Sequence, residues 1–502
     1  MKYFIRNIRE KMIKKEFKEI AAYALLIAII TAFMYGYIVI NTRLLIGNDG
    51  YFHIRFSERI LNEGIVHKFP QIYFSELRES FYDKHFLYHI YQIPFIVFTN
   101  AIGLPLIYAA KFSAVMLIVL LFVIFYLILI KWKAKPREAF LFSLLFAFSS
   151  TIFAFRIIMP RAITFGIIFF LITLFFILNK DWKKTLVSCY LFALGYFAFP
   201  ITLISLVVIF ASQFLAFRED YIKEIAANRK VISAAFFGIM AGIIINPFFP
   251  TNIIQGITTD LKASIFRAAE LGNAEWNAIT TDFFFSGILP CALLLIAAVI
   301  YTLKKREKFS AKEFSLFSLA LFLLILSAKS VRILDFFVPA AMLFSAIFIA
   351  RRNLLNKKLF KTLFAIILVI GIVQYVMFAN TMLNEKQQDF SACAKYIKEN
   401  YQERIIFNST YDDFPQLYYY LPSYYFIAGL DEYYLYDYSK ELFNKYRRFS
   451  DEPSASLLKD FNARIVFVDL TQKPKLGEKL QKSSEFKREF EADDCMVFKV
   501  VS

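Results

Sequence analysis

The residues with the widest chemical range gather near the start of the chain. All four histidines, His53, His67, His85 and His89, fall within residues 42–104, together with Asp49 in the run IGNDGYFHIRFSERI. A carboxylate can take a proton from an attacking hydroxyl, and imidazoles can pass protons or ligate a metal. The alternation of polar and apolar positions from Tyr51 to Leu61 suits a helix lying on a membrane surface, with Asp49 just before it. Asn-Asp-Gly is also a common turn and helix-capping sequence. His85 and His89 stand at i, i+4 and share a helix face, where they could bind a metal. Catalytic zinc sites usually use three protein ligands, and no third is evident nearby.

A second group of residues suits an anion. Arg156, Arg161 and Arg332 are expected at the outer ends of apolar helices, with Lys329 beside Arg332. A guanidinium fork can hold phosphate bidentately, although snorkelling to the interface would place Arg there too. Asp335, near the same helix end, is expected to pair with Arg332. Nine tyrosines crowd residues 418–438, just after Asp412 and Asp413. Aromatic rings stack on sugars and also settle at headgroup level, so the cluster fits either setting.

The elements that must position these groups follow from composition. The 502 residues are 58% hydrophobic and only 20% charged, with a mean hydropathy of +0.52. That excludes a chain of soluble domains and a nucleic-acid-binding protein. Eleven apolar runs, at about 20–41, 105–130, 138–155, 157–178, 185–199, 200–217, 231–246, 284–303, 313–328, 331–350 and 360–381, are long enough or nearly so to span a bilayer. The stretch 86–103 is apolar but holds His89, Gln92, Pro94 and Asn100. If it does not span, the inner segments carry 28 Lys and Arg and the outer ones 12. The positive-inside rule then sets eleven spans, an inner N-terminus and an outer C-terminal part, with 86–103 juxtamembrane or re-entrant.

The expected fold is a polytopic α-helical membrane protein with a C-terminal external α/β domain. Residues 1–383 form the transmembrane domain, with external loops 42–104 and 246–283, and residues 384–502 form the soluble domain. Short β-rich runs at 404–409, 424–429, 464–469 and 495–500 alternate with helical patterns there. The net charge of +17 is uneven: from residue 382 onward 17 basic residues face 20 acidic ones, so the basic excess belongs to the membrane part. Cys189 and Cys291 lie in apolar runs as packing residues, while Cys393 and Cys495 could pair if the C-terminal part faces an oxidising space.

The passage GNDGYFHIRFSERILNEG after the first apolar helix resembles the start of the catalytic subunit of oligosaccharyltransferases and related GT-C membrane glycosyltransferases. The family's acid, aromatic, His and Arg match Asp49, Tyr51, Phe52, His53 and Arg55. YDKHFLYHIYQIPF resembles the second helix-forming part of the same loop, with His85 and His89. NPFFPTNI, followed by Glu270, Glu275 and Trp276, is similar to a substrate-clamping external loop, and SVRILDFFVPA to a late helix whose Arg, here Arg332, lies near the lipid phosphate. Two parts of the pattern are missing. FRIIMPRAITF stands where the family has paired metal-binding acids, and NSTYDDFPQLYYY stands where it has WWDYG. The match is therefore to the wider superfamily, with Asn glycosylation and a need for Mg or Mn both in doubt.

The resemblance implies transfer of a sugar or oligosaccharide from a polyprenyl-phosphate or diphosphate donor to a glycan, lipid or protein acceptor on the external face. Asp49 would accept the proton and be the metal ligand if there is one, assisted by Glu275 or Glu270. His53, Arg55, His85, His89, Arg156, Arg161, Trp276, Lys329 and Arg332 would bind substrate. The rivals are a lipid-glycan flippase, which calls for polar groups at the bilayer midplane, and a catalytically silent relative.

Overall fold

A computed structural model describes residues 2–256, 258, 262 and 287–501, with side chains from residue 16 onward. It divides into two compact units. One holds the described residues within 1–41, 114–244 and 267–384, and the other those within 42–113, 245–266 and 385–502. Glu270, Glu275 and Trp276 lie outside the described residues.

The first unit is helical because its sequence is. Where they are described, the eleven apolar runs of the chain fall on helices, from Lys2–Asn41 to Lys358–Asn384. Five helical segments, Glu16–Asn41, Leu106–Lys131, Ile225–Ile244, Val331–Arg351 and Lys358–Asn384, are long and apolar enough to cross a membrane, and a bent pair makes a possible sixth. The chain is a polytopic membrane protein. The run 138–155, counted above as one span, falls on two helices, Pro136–Phe148 and Thr151–Ile158, bent by 82°. The Ser150 side chain accepts from Phe153 N and starts a new helix, as an N-cap does. The next helix begins only at Ile163, because Met159 precedes Pro160 and takes an extended backbone.

Small residues let two of these helices meet. A Cβ on Gly238 would lie 2.4 Å from Leu186 O, and one on Gly242 would lie 2.6 Å from Tyr190 O. The spacing Gly-x-x-x-Gly thus seats helix Ile225–Ile244 directly on the backbone of helix Trp182–Gly195.

The second unit is built on a five-stranded sheet in the order β2-β1-β3-β5-β4. The strands are β1 Ile405–Asn408, β2 Tyr425–Phe426, β3 Ile465–Asp469, β4 Phe486–Glu491 and β5 Cys495–Val500. β1 runs parallel to β2 and β3, while β5 is antiparallel to β3 and β4. Strand β4 was not anticipated, because FKREFE is charged and its burial marks an exposed edge. A Cys393–Cys495 disulfide ties helix Ser391–Asn400 to β5.

The segment after the first helix packs into this same unit. Tyr73 N donates to Phe426 O and Phe426 N donates to Gln71 O, which covers the β2 edge. Helices Asp49–Glu63 and Phe86–Ala101 supply residues to cores shared with helix Phe414–Tyr420, through Phe52, Phe56, Tyr51 and Ile96. Gln92, one of the polar residues of 86–103, is satisfied here: its Oε1 accepts from Ser57 Oγ at 2.8 Å, and its Nε2 donates to Tyr88. The tyrosine cluster is mainly core, since Tyr418, Tyr419, Tyr424, Tyr433 and Tyr434 are buried. Tyr438 is half exposed. For most of the cluster this replaces both settings considered above.

Candidate functional site

Asp49 is the first residue of helix Asp49–Glu63, not the residue before it. Asn48 holds the cap position and makes no side-chain cap bond. Asp49 is exposed, and a carboxylate in the first turn is favoured by the helix dipole. The helix start is fixed to the loop after β1, because Asn48 Nδ2 donates to Asp412 O and Gln416 Nε2 donates to Asn48 Oδ1, both at 3.4 Å.

That loop collects acids. Asp412, Asp413 and Asp469 stand at the C-terminal ends of the parallel strands β1 and β3, where open α/β sheets present their functional loops. Burial pushes the Asp412 carboxyl up to about 6, reinforced by the Asp49 carboxylate, while a hydrogen bond from Gln472 opposes the shift. Burial and the neighbouring Asp469 push Asp413 up to about 8, although it accepts bonds from Thr410 and Ser409. The partnership of Asp49 with Asp412 was not foreseen, since 363 positions separate them in the chain.

The histidines fall into two groups. His53 Nδ1 is 2.8 Å from His89 Nε2, and His89 Nδ1 is 2.6 Å from Asp83 Oδ2. His85 donates its backbone N–H to Asp83 Oδ1 and its ring lies 5.6 Å from that of His53. His67 is elsewhere, against Phe248. Asp83 is thus a member of the cluster that the sequence reading passed over; a carboxylate shortly before the His-x-x-x-His pair was the available signal. Among the described residues no three His, Cys, Asp or Glu side chains are gathered as metal ligands. Arg55 is engaged locally: Nε donates to Tyr419 O at 2.9 Å, the guanidinium lies 4.8 Å from the Tyr419 ring centroid, and Glu58 pairs with it.

In the helical unit, Arg156, Arg161, Arg332 and Asp335 are all electrostatic neighbours of Tyr196. Arg156 comes from the last turn of Thr151–Ile158, and Arg332 from the one-turn helix Val331–Ile333. Arg161 follows Pro160 outside any helix. Asp335 pairs with Arg156, Nε to Oδ1 at 2.6 Å and to Oδ2 at 2.7 Å. The pair is buried, and a guanidinium out of water calls for such a partner. Lys329 is exposed in the turn before Arg332.

No family model matches the chain, and no curated protein matches it. Solved structures do. Archaeal oligosaccharyltransferase AglB from Archaeoglobus fulgidus, in complex with an inhibitory peptide and a dolichol-phosphate, aligns over 90% of this chain and 70% of its own at 15% identity and a TM-score of 0.60. ArnT from Cupriavidus metallidurans bound to undecaprenyl phosphate aligns over 96% and 98% at 10% identity and 0.62. Arabinofuranosyltransferase AftD from Mycobacteria aligns over 95% and 40% at 11% identity and 0.54. The chain has the fold of the GT-C glycosyltransferases. At this identity the likeness is one of fold.

Proposed function

We propose that the chain is an integral membrane glycosyltransferase that moves a sugar or oligosaccharide from a polyprenyl-phosphate or diphosphate donor to an acceptor on the external face. The proposed topology has eleven spans, the N-terminus inside and residues 384–502 outside. The observation that carries the reading is the gathering of Arg156, Arg161 and Arg332, with Asp335, around Tyr196. Such a set offsets the charge that grows on a departing phosphate. The neighbours with the same fold support the ligand class, since AglB is bound to a dolichol-phosphate and ArnT to undecaprenyl phosphate.

In this reading the acceptor hydroxyl attacks the anomeric carbon from the face opposite the phosphate, with inversion. Asp49 takes its proton. Asp412, raised to about 6 by burial, is a second carboxyl coupled electrostatically to Asp49. Glu270 and Glu275 are proposed to position the acceptor, and Trp276 with His85 and Lys329 to contact substrate. Purified protein given a radiolabelled polyprenyl-linked sugar should transfer it. Asp49→Asn and Asp49→Ala are expected to lower kcat roughly 10²–10⁴-fold, the usual share of general base catalysis. Full transfer activity in both variants would sink the assignment of Asp49.

A further inference from the structure

Asp83, His89 and His53 form a continuous buried chain, exposed by only 3%, 1% and 6%. The rings of Phe52, Phe56 and Tyr88 pack around the two imidazoles. Among the described residues, His85 and Tyr88 also face the His53 ring, with centroids at 5.6 and 5.3 Å. Lys84, next in the chain to Asp83, is turned to Tyr434, with 2.7 Å from Nζ to the hydroxyl.

With both imidazoles neutral, the hydrogen-bond direction along this chain is set by the carboxylate at its end. An ionised carboxylate only accepts, so His89 Nδ1 carries its proton and points it at Asp83. A neutral His89 then has its lone pair on Nε2, and His53 Nδ1 must donate to it. The lone pair of His53 is therefore on Nε2. For one carboxylate and two neutral imidazoles this is the only proton arrangement that satisfies both contacts. His53 is also one helical turn from Asp49, on the same face of helix Asp49–Glu63.

We infer that Asp83 and His89 are positioning residues that hold His53 in the tautomer with its lone pair at Nε2, making His53 the terminal proton acceptor for the reaction begun at Asp49. The inference rests on the glycosyl-transfer reading. The acceptor O–H bond breaks as its oxygen bonds to the anomeric carbon, and the carbon–oxygen bond to the phosphate breaks with its electron pair leaving on phosphate. The proton passes to the Asp49 carboxylate and then to His53 Nε2, and once product has left it returns through exposed Asp49 to water, which restores both groups for the next turnover. The imidazolium so formed is balanced by Asp83 through His89, as a buried carboxylate balances a protonated histidine in hydrolytic triads.

The test uses the full chain in micelles with ¹⁵N-labelled histidine, alongside an Asp83→Asn variant. In the unaltered protein both Nδ1 atoms of His53 and His89 should be protonated and both Nε2 atoms unprotonated. Oδ1 at position 83 is held by the His85 backbone N–H, so the amide nitrogen that Asp83→Asn introduces faces His89 Nδ1. It can only donate there, and both rings should invert. With radiolabelled polyprenyl phosphate-linked sugar, kcat of the variant should fall roughly 10²–10⁴-fold with little change in KM, a split that loss of packing would not produce. A proton on Nε2 of either ring in the unaltered protein overturns the inference, whether or not the variant folds. So does a folded Asp83→Asn variant with unchanged tautomers or unchanged kcat. The expected spectrum without any sugar transfer would instead defeat the glycosyl-transfer reading, so the two failures are distinguishable.

Discussion

Asp413 couples the chemistry of single residues to the stability of the sheet unit. Its carboxyl is fully buried and is pushed up to about 8 by burial and by Asp469, against about 3.9 in an unfolded chain. The folded state therefore holds a proton that the unfolded state has released. Its stabilising contribution is complete below about pH 4 and is lost as pH rises through about 8. The thermal midpoint of the full chain should fall across that window, and Asp413→Asn, which cannot ionise, should flatten the profile. An equally steep profile in the variant would show that Asp413 is not the titrating group. Asp412, pushed up to about 6, adds a loss of the same sign at lower pH.

Among elements, the contact of Ile225–Ile244 with Trp182–Gly195 depends on the absence of two side chains. Any Cβ on Gly238 or Gly242 collides with backbone oxygen, which cannot rotate away. Gly238→Val should cost about 1–3 kcal/mol, the usual range for overpacking, read as a lower unfolding midpoint in mixed micelles. An unchanged midpoint would mean the helices do not meet through this face. At this scale much was legible in the sequence. The apolar runs and four of the five strands could be read from periodicity, because burial of an apolar face repeats along the chain. The 82° bend at Ser149–Ser150 could not: both serines sit within an apolar run, and the hydrogen bond to Phe153 N that restarts the helix depends on local backbone geometry. The tyrosines gave the wrong impression for a similar reason. Composition shows that they are amphipathic, but only packing shows that Tyr418 is wholly buried.

For the whole molecule, the +17 charge first invites a search for a polyanion, yet 28 of the basic residues lie in segments assigned to the inner side and act mainly on orientation. A reporter fused after Ser502 should therefore be external. A cytoplasmic signal would mean that the number of crossings is even and that 86–103 or another run has been assigned wrongly.

The sequence by itself determined that this is a membrane protein, where its apolar helices run and which strands make up most of its sheet, and it singled out Asp49, the histidines, Arg156, Arg161 and Arg332 as candidates. Those properties are local, being carried by residue type and spacing. The tertiary structure alone decided which groups meet: Asp49 with Asp412, Arg156 with Asp335, and Asp83 with His89 and His53. The first two pairs are separated by 363 and 179 positions. Proton sharing and charge compensation act over a few ångströms, and chain separation does not encode that distance until helices and strands have packed.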